Sequence, residues 1–287
     1  MRGIIIASCQ LKFQKYEEIY EMLINAFEKR NIELIKLYND ELMLKIGYKD
    51  INADFIIFWD KDIKLCRYLE NSGLQVFNNS SAIEICDDKG LTALELAKHK
   101  IKMPKQILSP KLFFDKLSEK YLSDIEKEID YPIVVNGIVG SFGKQVFLAE
   151  NYNELKEKAF EFGCEGIVFQ ELIKSSYGKD IRVQIVGNKA IASVARFAKE
   201  GQLCSNVTAG GRMEKINAPK SYIELAEKVS RILKLDFCGV DMLIGNNGEP
   251  ILLEVNSNAH FKNLYDCTGI NTAEYIADYV ISKVKNA

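Results

Sequence analysis

The chain has 287 residues, 47% hydrophobic and 27% charged, enough for two or three domains with cores of their own. A net charge of −2 and a pI near 5.9 leave no electrostatic footprint for nucleic-acid binding. Seven cysteines, an odd count without a C-x-x-C pair, argue against a disulfide framework or zinc site and fit a reducing cytoplasm.

Met1-Arg2-Gly3 leads directly into a strand-like run, and no apolar stretch approaches about 20 residues, so neither a signal peptide nor a membrane span is expected. Residues 4–7 read as a strand, and Tyr16, Ile19, Tyr20, Leu23, Ile24 and Phe27 recur at helical spacing behind it. Strands at 32–37, 55–59 and 76–77, with Ile63, Cys66 and Leu69 on a helix before the last, predict a parallel α/β domain over residues 1–84. Asp88-Lys89 opens a helix through Leu96 and Ala97. Strands at 131–135 and 145–149 then flank a glycine-rich loop, 137–144, and Asn151 caps a helix to Phe162.

Residues 166–171 form a further strand, followed by a loop through Gly178. Residues 181–186 and 190–197 make a hairpin about Gly187-Asn188. Ser221 and Glu224 have the spacing of a capping box for a helix reaching Leu233, and a last helix starts near Asn271 with Ile276, Val280 and Val284 on one stripe. His99 and His260, expected on a surface helix and in a loop, are too few for a histidine metal site. There is no internal repeat and no low-complexity linker.

Between the last two helices lies DFCGVDMLIGNNGEPILLEVNSN, two apolar runs about Gly245-Asn246-Asn247-Gly248 that predict a hairpin. With Asn246 and Asn247 as a two-residue loop, Asp241 falls opposite Leu252 and diagonal to Glu254. Period-2 alternation sends Val240, Met242, Ile244, Ile251, Leu253 and Val255 into a core. Asp241, Leu243, Leu252, Glu254 and Asn256 face the other way. Two carboxylates and an amide oxygen converging on a cleft are hard ligands of the kind Mg²⁺ takes beside nucleotide phosphates.

The other motifs are weak singly. Gly137 to Lys144 exposes backbone N–H groups that can close on phosphates, but it fails the Walker A spacing. Asp88-Lys89 can be plain helix-terminus charge. Gln170-Glu171-Leu172-Ile173 can offer backbone to an adenine edge or merely end a strand. Asp180, Arg182 and Arg196 can be an exposed ion pair or the cationic lining of a phosphate site.

Taken in order, the motifs resemble the ATP-grasp superfamily, and within it the ribosomal-protein S6 modification type of alpha-L-glutamate ligase. The matching pieces are Asp88-Lys89-x-x-Thr92, Tyr131-Pro132-x-Val134-Val135, Gly140-Ser141-x-Gly143, Gln170-Glu171-x-Ile173, Asp180-Ile181-Arg182-Val183 and Ala198-Lys199-Glu200-Gly201. Ser205-Asn206, Gly210-Gly211, Gly239-Val240-Asp241 and Glu254-Val255-Asn256 complete them.

The resemblance implies an α/β ATP-grasp fold of three domains: N-terminal 1–84, a central lid 85–170, and a C-terminal domain 171–287 carrying the metal site, with ATP between the last two. It implies an ADP-forming carboxylate–amine ligase working through an acyl phosphate. Its substrates are ATP, an amino acid such as glutamate, and a carboxylate acceptor, either a small molecule or a peptide C-terminus. From the charge and hydropathy above, neither a membrane nor a nucleic acid is expected as a partner.

Carried over by residue, Lys89, Gly140, Ser141, Gly143 and Lys144 serve the nucleotide phosphates, and Gln170, Glu171, Leu172 and Ile173 the adenine. Asp180 and Arg182 complete the nucleotide site. Asp241, Glu254 and Asn256 hold two divalent ions, Mg²⁺ or Mn²⁺, while Arg196 and Asn206 face the transferred phosphoryl and acyl intermediate.

At one phosphate-contacting position the family lysine is replaced by Asn136, which can donate a hydrogen bond but no charge. The alternative function is therefore a nucleotide-binding module with weakened or lost turnover. A third is a phosphotransferase that releases the acyl phosphate. Cys204, Thr208 and Ala209 replace arginines of the S6-modifying members, which leaves the acceptor open.

Overall fold

Continuous apolar runs become strands buried on both faces, as parallel strands covered by helices must be. In the computed structural model, which describes residues 1–47, 51–113, 116–140, 145–162, 166–203, 205 and 210–286, all five residues of the strand Phe55–Trp59 are buried. It is β3 of a parallel sheet ordered β2-β1-β3-β4, with β1 (Arg2–Ala7), β2 (Glu33–Tyr38) and β4 (Gln75–Phe77). Helices α1 (Gln14–Glu28), α2 (Ile63–Asn71), α3 (Ser80–Asp87) and α4 (Lys89–Ala97) accompany it. Asp62, Asn79 and Asp88 cap the last three by accepting from backbone N–H groups of the first turn.

A second sheet, antiparallel, is ordered β5-β8-β6-β7 from β5 (Gln106–Leu108), β6 (Ile133–Gly137), β7 (Val146–Ala149) and β8 (Ile167–Glu171). Helices α5 (Glu119–Glu128) and α6 (Tyr152–Glu161) pack on it, α6 capped by Asn151. The third sheet is β11-β10-β9-β12-β13, from β9 (Lys179–Val186), β10 (Lys189–Phe197), β11 (Arg212–Lys215), β12 (Phe237–Ile244) and β13 (Pro250–Asn256). With it go α7 (Lys220–Ile232), α8 (Lys262–Thr268) and α9 (Thr272–Lys285).

Several elements depart from the sequence reading. Ser221 does not cap α7: the helix begins a residue earlier, Pro219 stands at the N-cap position, and no side chain caps it. Proline presets the entry dihedral without offering an acceptor. The loop expected from Gly137 starts later, because Gly137 pairs with Ile167. Helices α3, α5 and α8 and strands β5 and β11 were not expected; α8 has seven residues, β11 four and β5 three. None of the helices is long and apolar enough to cross a membrane among the described residues.

The parallel sheet is joined to the third sheet through its core and one buried amide. Tyr20, Phe27, Phe55 and Trp59 share a cluster with Phe237, Phe261, Ile276 and Val280, and the Trp59 ring stacks on Phe237 at 5.2 Å. Asn78, with 0% of its surface exposed, uses its whole amide. Nδ2 donates to the carbonyls of Phe237 and Ser257 at 2.9 and 3.0 Å, and Oδ1 accepts from the N–H of Asp236 and Phe237 at 2.7 and 3.2 Å. Beside it, burial raises the Asp236 carboxyl to about 6 despite the hydrogen bond from Tyr279 on α9.

Replacing Asn78 by Ala strands four buried backbone groups, and should cost roughly 3 kcal/mol or more in urea unfolding; a loss below about 1 kcal/mol would contradict the clamp. Asp236→Asn tests the second contact by pH. The raised carboxyl contributes stability below its unfolded value of 3.8 that is lost as pH rises through about 6. The variant should therefore match the wild type near pH 4 and be more stable at pH 7 by roughly 2 kcal/mol.

Candidate active site

The three sheets surround one cleft of about 580 Å³, within the range of small-molecule sites. Lys89, Asn136, Gly140, Gln170, Glu171, Leu172, Ile173, Asp180, Arg182, Arg196, Asp241, Glu254 and Asn256 all line it. Ser141, Gly143, Lys144 and Asn206, expected here, lie outside the described residues.

The β12–β13 hairpin differs in register from the expectation, by two separate shifts. Its turn holds three residues, not two: Gly245 N–H donates to the Glu249 carbonyl at 2.8 Å, and Gly248 takes the left-handed φ of +80° that such a turn needs. A bulge then makes Asp241 pair directly with Glu254 and Met242 with Leu252, leaving Leu253 as the extra residue. Both leucines line the cleft, but Leu252 is buried in the core while Leu253 is 36% exposed, the reverse of strict alternation. Each shift reverses the faces once, so Asp241, Glu254 and Asn256 still share the cleft face.

Opposite Asn256 sits Gly239; a Cβ there would come within 2.8 Å of the Ala259 Cβ and 3.3 Å of Arg182 Nε. The glycine makes room for the guanidinium. Arg182 grips Asp241 with both ends of its fork, Nε to Oδ1 and Nη2 to Oδ2 at 2.6 Å each. Arg196 bridges Asp241 at 2.9 Å and Asp180 at 2.7 Å, and Ser205 Oγ donates to the other Asp180 oxygen. Arg182 and Asp180 lie on β9, Arg196 on β10 and Asp241 on β12, so the register of three paired strands assembles the cluster. Burial pushes the Asp241 carboxyl up, but the two guanidiniums outweigh it and hold it below the ordinary carboxylate range. Asp180, with one arginine, is raised by burial.

Glu254 makes no ion pair within 4 Å among the described residues, and burial raises its carboxyl against the pull of Lys89. Asn256 Nδ2 donates to Asp241 at 3.2 Å, which leaves its Oδ1 for another donor or a cation. An open carboxylate beside an amide oxygen and a second carboxylate is an oxygen donor set suited to a hard divalent ion. No cluster of three His, Cys, Asp or Glu occurs among the described residues, so the amide is needed for a third ligand.

The residues expected to face a nucleotide lie at the other end. Lys89, at the start of α4, donates from Nζ to the Gly140 carbonyl at 3.3 Å, where a bridge between Asp88 and Val139 ties the helix start to the loop. Asn136 is buried on β6 between Val146 and Val168. Gln170 is held by Gln106 at 2.8 Å, and the Glu171 side chain accepts from the Lys105 N–H at 2.7 Å. Its carboxylate is therefore held by the backbone, and Glu171, Leu172 and Ile173 all line the cleft.

Sequence reasoning missed Ser8, Asp60, Lys179, Asn258 and His260, which line the cleft as well. Signals existed. Ser8 and Asp60 follow adjacent parallel strands β1 and β3, where the strand order reverses and ligands of open α/β sheets bind. Asn258 and His260 continue the two-residue rhythm of Glu254 and Asn256.

The fold and the sequence have counterparts among known proteins. A family model described as a RimK-like ATP-grasp domain matches residues 86–280. N-acetylaspartylglutamate synthase A of Homo sapiens is 35% identical over 263 residues, 89% of this chain and 63% of that protein. Beta-citrylglutamate synthase B of Danio rerio is 34% identical over 230 residues, covering 78% and 54%. The chain thus spans about three fifths of the length of these curated relatives. A RimK domain ATP-grasp protein from Sphaerobacter thermophilus superposes with a TM-score of 0.76 at 18% identity, over 98% of this chain and all of that one.

Asp241→Asn should leave two buried guanidiniums short of a counter-charge and lower stability by roughly 3 kcal/mol. Thermal melts at pH 7 in the absence of ligand would read this; an unchanged melting temperature would mean the cluster is not needed for the fold. Because Asp241 is depressed, the difference should be full above about pH 4 and shrink as pH falls through the depressed value.

Proposed function

Since the chain belongs to the RimK-like ATP-grasp family, we propose that it is an ATP- and Mg²⁺-dependent ligase joining glutamate or another amino acid to a small carboxylate or peptide. The observation that carries this reading is the single cleft in which Lys89, the 170–173 segment, Arg196 and the Asp241, Glu254, Asn256 face meet. Two relatives named for products ending in glutamate support the choice of amine.

A carboxylate is too electron-rich for an amine to attack, so it must first acquire a leaving group. Phosphorylation by ATP supplies one, and the amine then displaces phosphate. In the proposed arrangement Leu172, Ile173 and the apolar side chains of Val134, Leu243 and Leu253 surround the base. Lys89 meets the phosphates, and Arg196 stands by the oxygens of the transferring phosphoryl group, a preorganised positive charge in a site shielded from water. Asp241, Glu254 and Asn256 would hold Mg²⁺, which when bound screens phosphate charge and orients the phosphates for in-line transfer. Asp180 fixes Arg196, and Arg182 fixes Asp241, so that neither needs to reorganise during transfer.

Phosphate release measured with MgATP across amino acids and small di- and tricarboxylates tests the reading. Release that requires both an amine and an acid is expected. Nucleotide binding without release would favour the binding module that Asn136 suggests, and amine-independent release would favour a phosphotransferase.

Asn136→Lys is the complementary measurement. Restoring a cation to a buried phosphate site should raise turnover or tighten MgATP by roughly ten- to a thousand-fold, each tenfold step being about 1.4 kcal/mol. Unchanged nucleotide affinity with unchanged or reduced turnover would mean that the asparagine is adapted to its site.

A further inference from the structure

At the end of the cleft bounded by the parallel sheet, buried polar atoms are left without partners. Asp60 is 8% exposed; its Oδ1 accepts from the Lys61 N–H at 2.7 Å, and the side chains of Asn39 and Ser8 pull its carboxyl down against burial, but Oδ2 has no partner in hydrogen-bonding geometry. Asn258 spends Nδ2 on the Asp60 carbonyl at 2.9 Å, and its Oδ1 is likewise unpaired. Both vacant positions are acceptors. An unmade hydrogen bond at a buried acceptor is costly, and native proteins retain such positions where a ligand supplies the donor.

His260 adds a third acceptor. Its Nε2 lies 3.0 Å from the Lys15 carbonyl, which cannot donate, so Nε2 carries the proton and Nδ1 the lone pair. No hydrogen bond to Nδ1 is made by the described residues. The ring stands edge-on to Tyr16 at 5.4 Å. Burial lowers its pKa; Lys15 and Arg182 add to this, while the Lys15 carbonyl and Glu18, itself 3.7 Å from Lys262, oppose it. The imidazole is neutral at pH 7.

From Val255 to Phe261 burial alternates: Val255, Ser257, Ala259 and Phe261 are buried, while Asn256, Asn258 and His260 are partly exposed and line the cleft. One segment therefore runs from the candidate metal ligands to Asp60.

We infer that this end of the cleft receives the amino group of the amine substrate, Asp60 and Asn258 accepting from its ammonium and His260 Nδ1 removing the proton that blocks attack. The inference rests on the ligase reading and names what that reading leaves open. An ammonium, which has donors only, matches the acceptors of Asp60, Asn258 and His260, whereas the unpaired indole N–H of Trp59 in the same cleft suits an acceptor. It gives one proton to His260; the freed lone pair forms the C–N bond at the acyl carbon; the bond from that carbon to the phosphate oxygen breaks. Phosphate departs with the electron pair and takes up the second nitrogen proton, leaving an amide and hydrogen phosphate.

The chain holds only two histidines, so long-range ¹H–¹⁵N spectra of the ¹⁵N-labelled full chain can follow His260, with His99→Gln to assign it. With Mg²⁺ and a non-hydrolysable ATP analogue present, L-glutamate should shift the Nδ1 resonance. Glutarate, the same skeleton without the amine, should not. Equal shifts with both, or none with glutamate, overturn the proposal. In turnover, Asp60→Asn should raise KM for glutamate about tenfold or more with KM for ATP unchanged. His260→Asn should lower kcat by about a hundredfold and abolish the acid limb of its pH profile. Retention of wild-type kcat and of that limb would remove His260 from the reaction. If the wild type releases no amine-dependent phosphate while the glutamate-specific shift persists, the ligase reading fails and the amine site stands.

Discussion

Two aspartates and two arginines on adjacent strands carry the site. Asp180, Arg182, Arg196 and Asp241 sum to zero charge in a place where any one alone would be prohibitively desolvated. Such a cluster adds little net stability. Its value is geometric: a bidentate contact to Asp241 fixes Arg182, single contacts to Asp180 and Asp241 fix Arg196, and each fixed guanidinium fixes a carboxylate. Asp241 is saturated on one oxygen by donors from Arg182, Arg196 and Asn256, while Glu254, facing it across the ladder, is left open. The same strand pair thus presents one neutralised carboxylate and one available carboxylate.

Much of this was legible in the sequence, for an identifiable reason. Two-residue alternation survives small errors of register as long as the errors come in pairs. The hairpin misreading moved the partner of Asp241 from Leu252 to Glu254, yet the face shared by Asp241, Glu254 and Asn256 persisted, because the longer turn and the bulge at Leu253 each reversed parity. What alternation cannot deliver is the identity of the extra residue. Leu252 and Leu253 are chemically alike, so nothing local says which is buried in the core and which stays exposed.

Long-range contacts were the part that stayed hidden. Caps such as Asp88 and Asn151 announce themselves because acceptor and helix start are neighbours. The role of Asn78 does not: its four partners lie more than 150 residues away. Short elements were missed for a related reason. Strand β5 has three residues, too few for a period, and is fixed by pairing with β8 about sixty residues later. The importance of Asp60 and His260 likewise arises only when distant ends of the chain close on one another.

That closure bears on how the molecule can be divided. The recognisable family segment spans residues 86–280, but the aromatic cluster beneath α9 is completed by Tyr20, Phe27, Phe55 and Trp59 from the first sixty residues. Arg30 reinforces the seam, its guanidinium reaching Glu274 at 2.6 Å and Asp278 at 2.7 Å. An excised family segment would expose the apolar stripe of its own last helix and the backbone groups that Asn78 occupies. The stretch defined by descent and the stretch that can fold are therefore different lengths of polypeptide. An insertion, fusion or split of this chain has to respect the second.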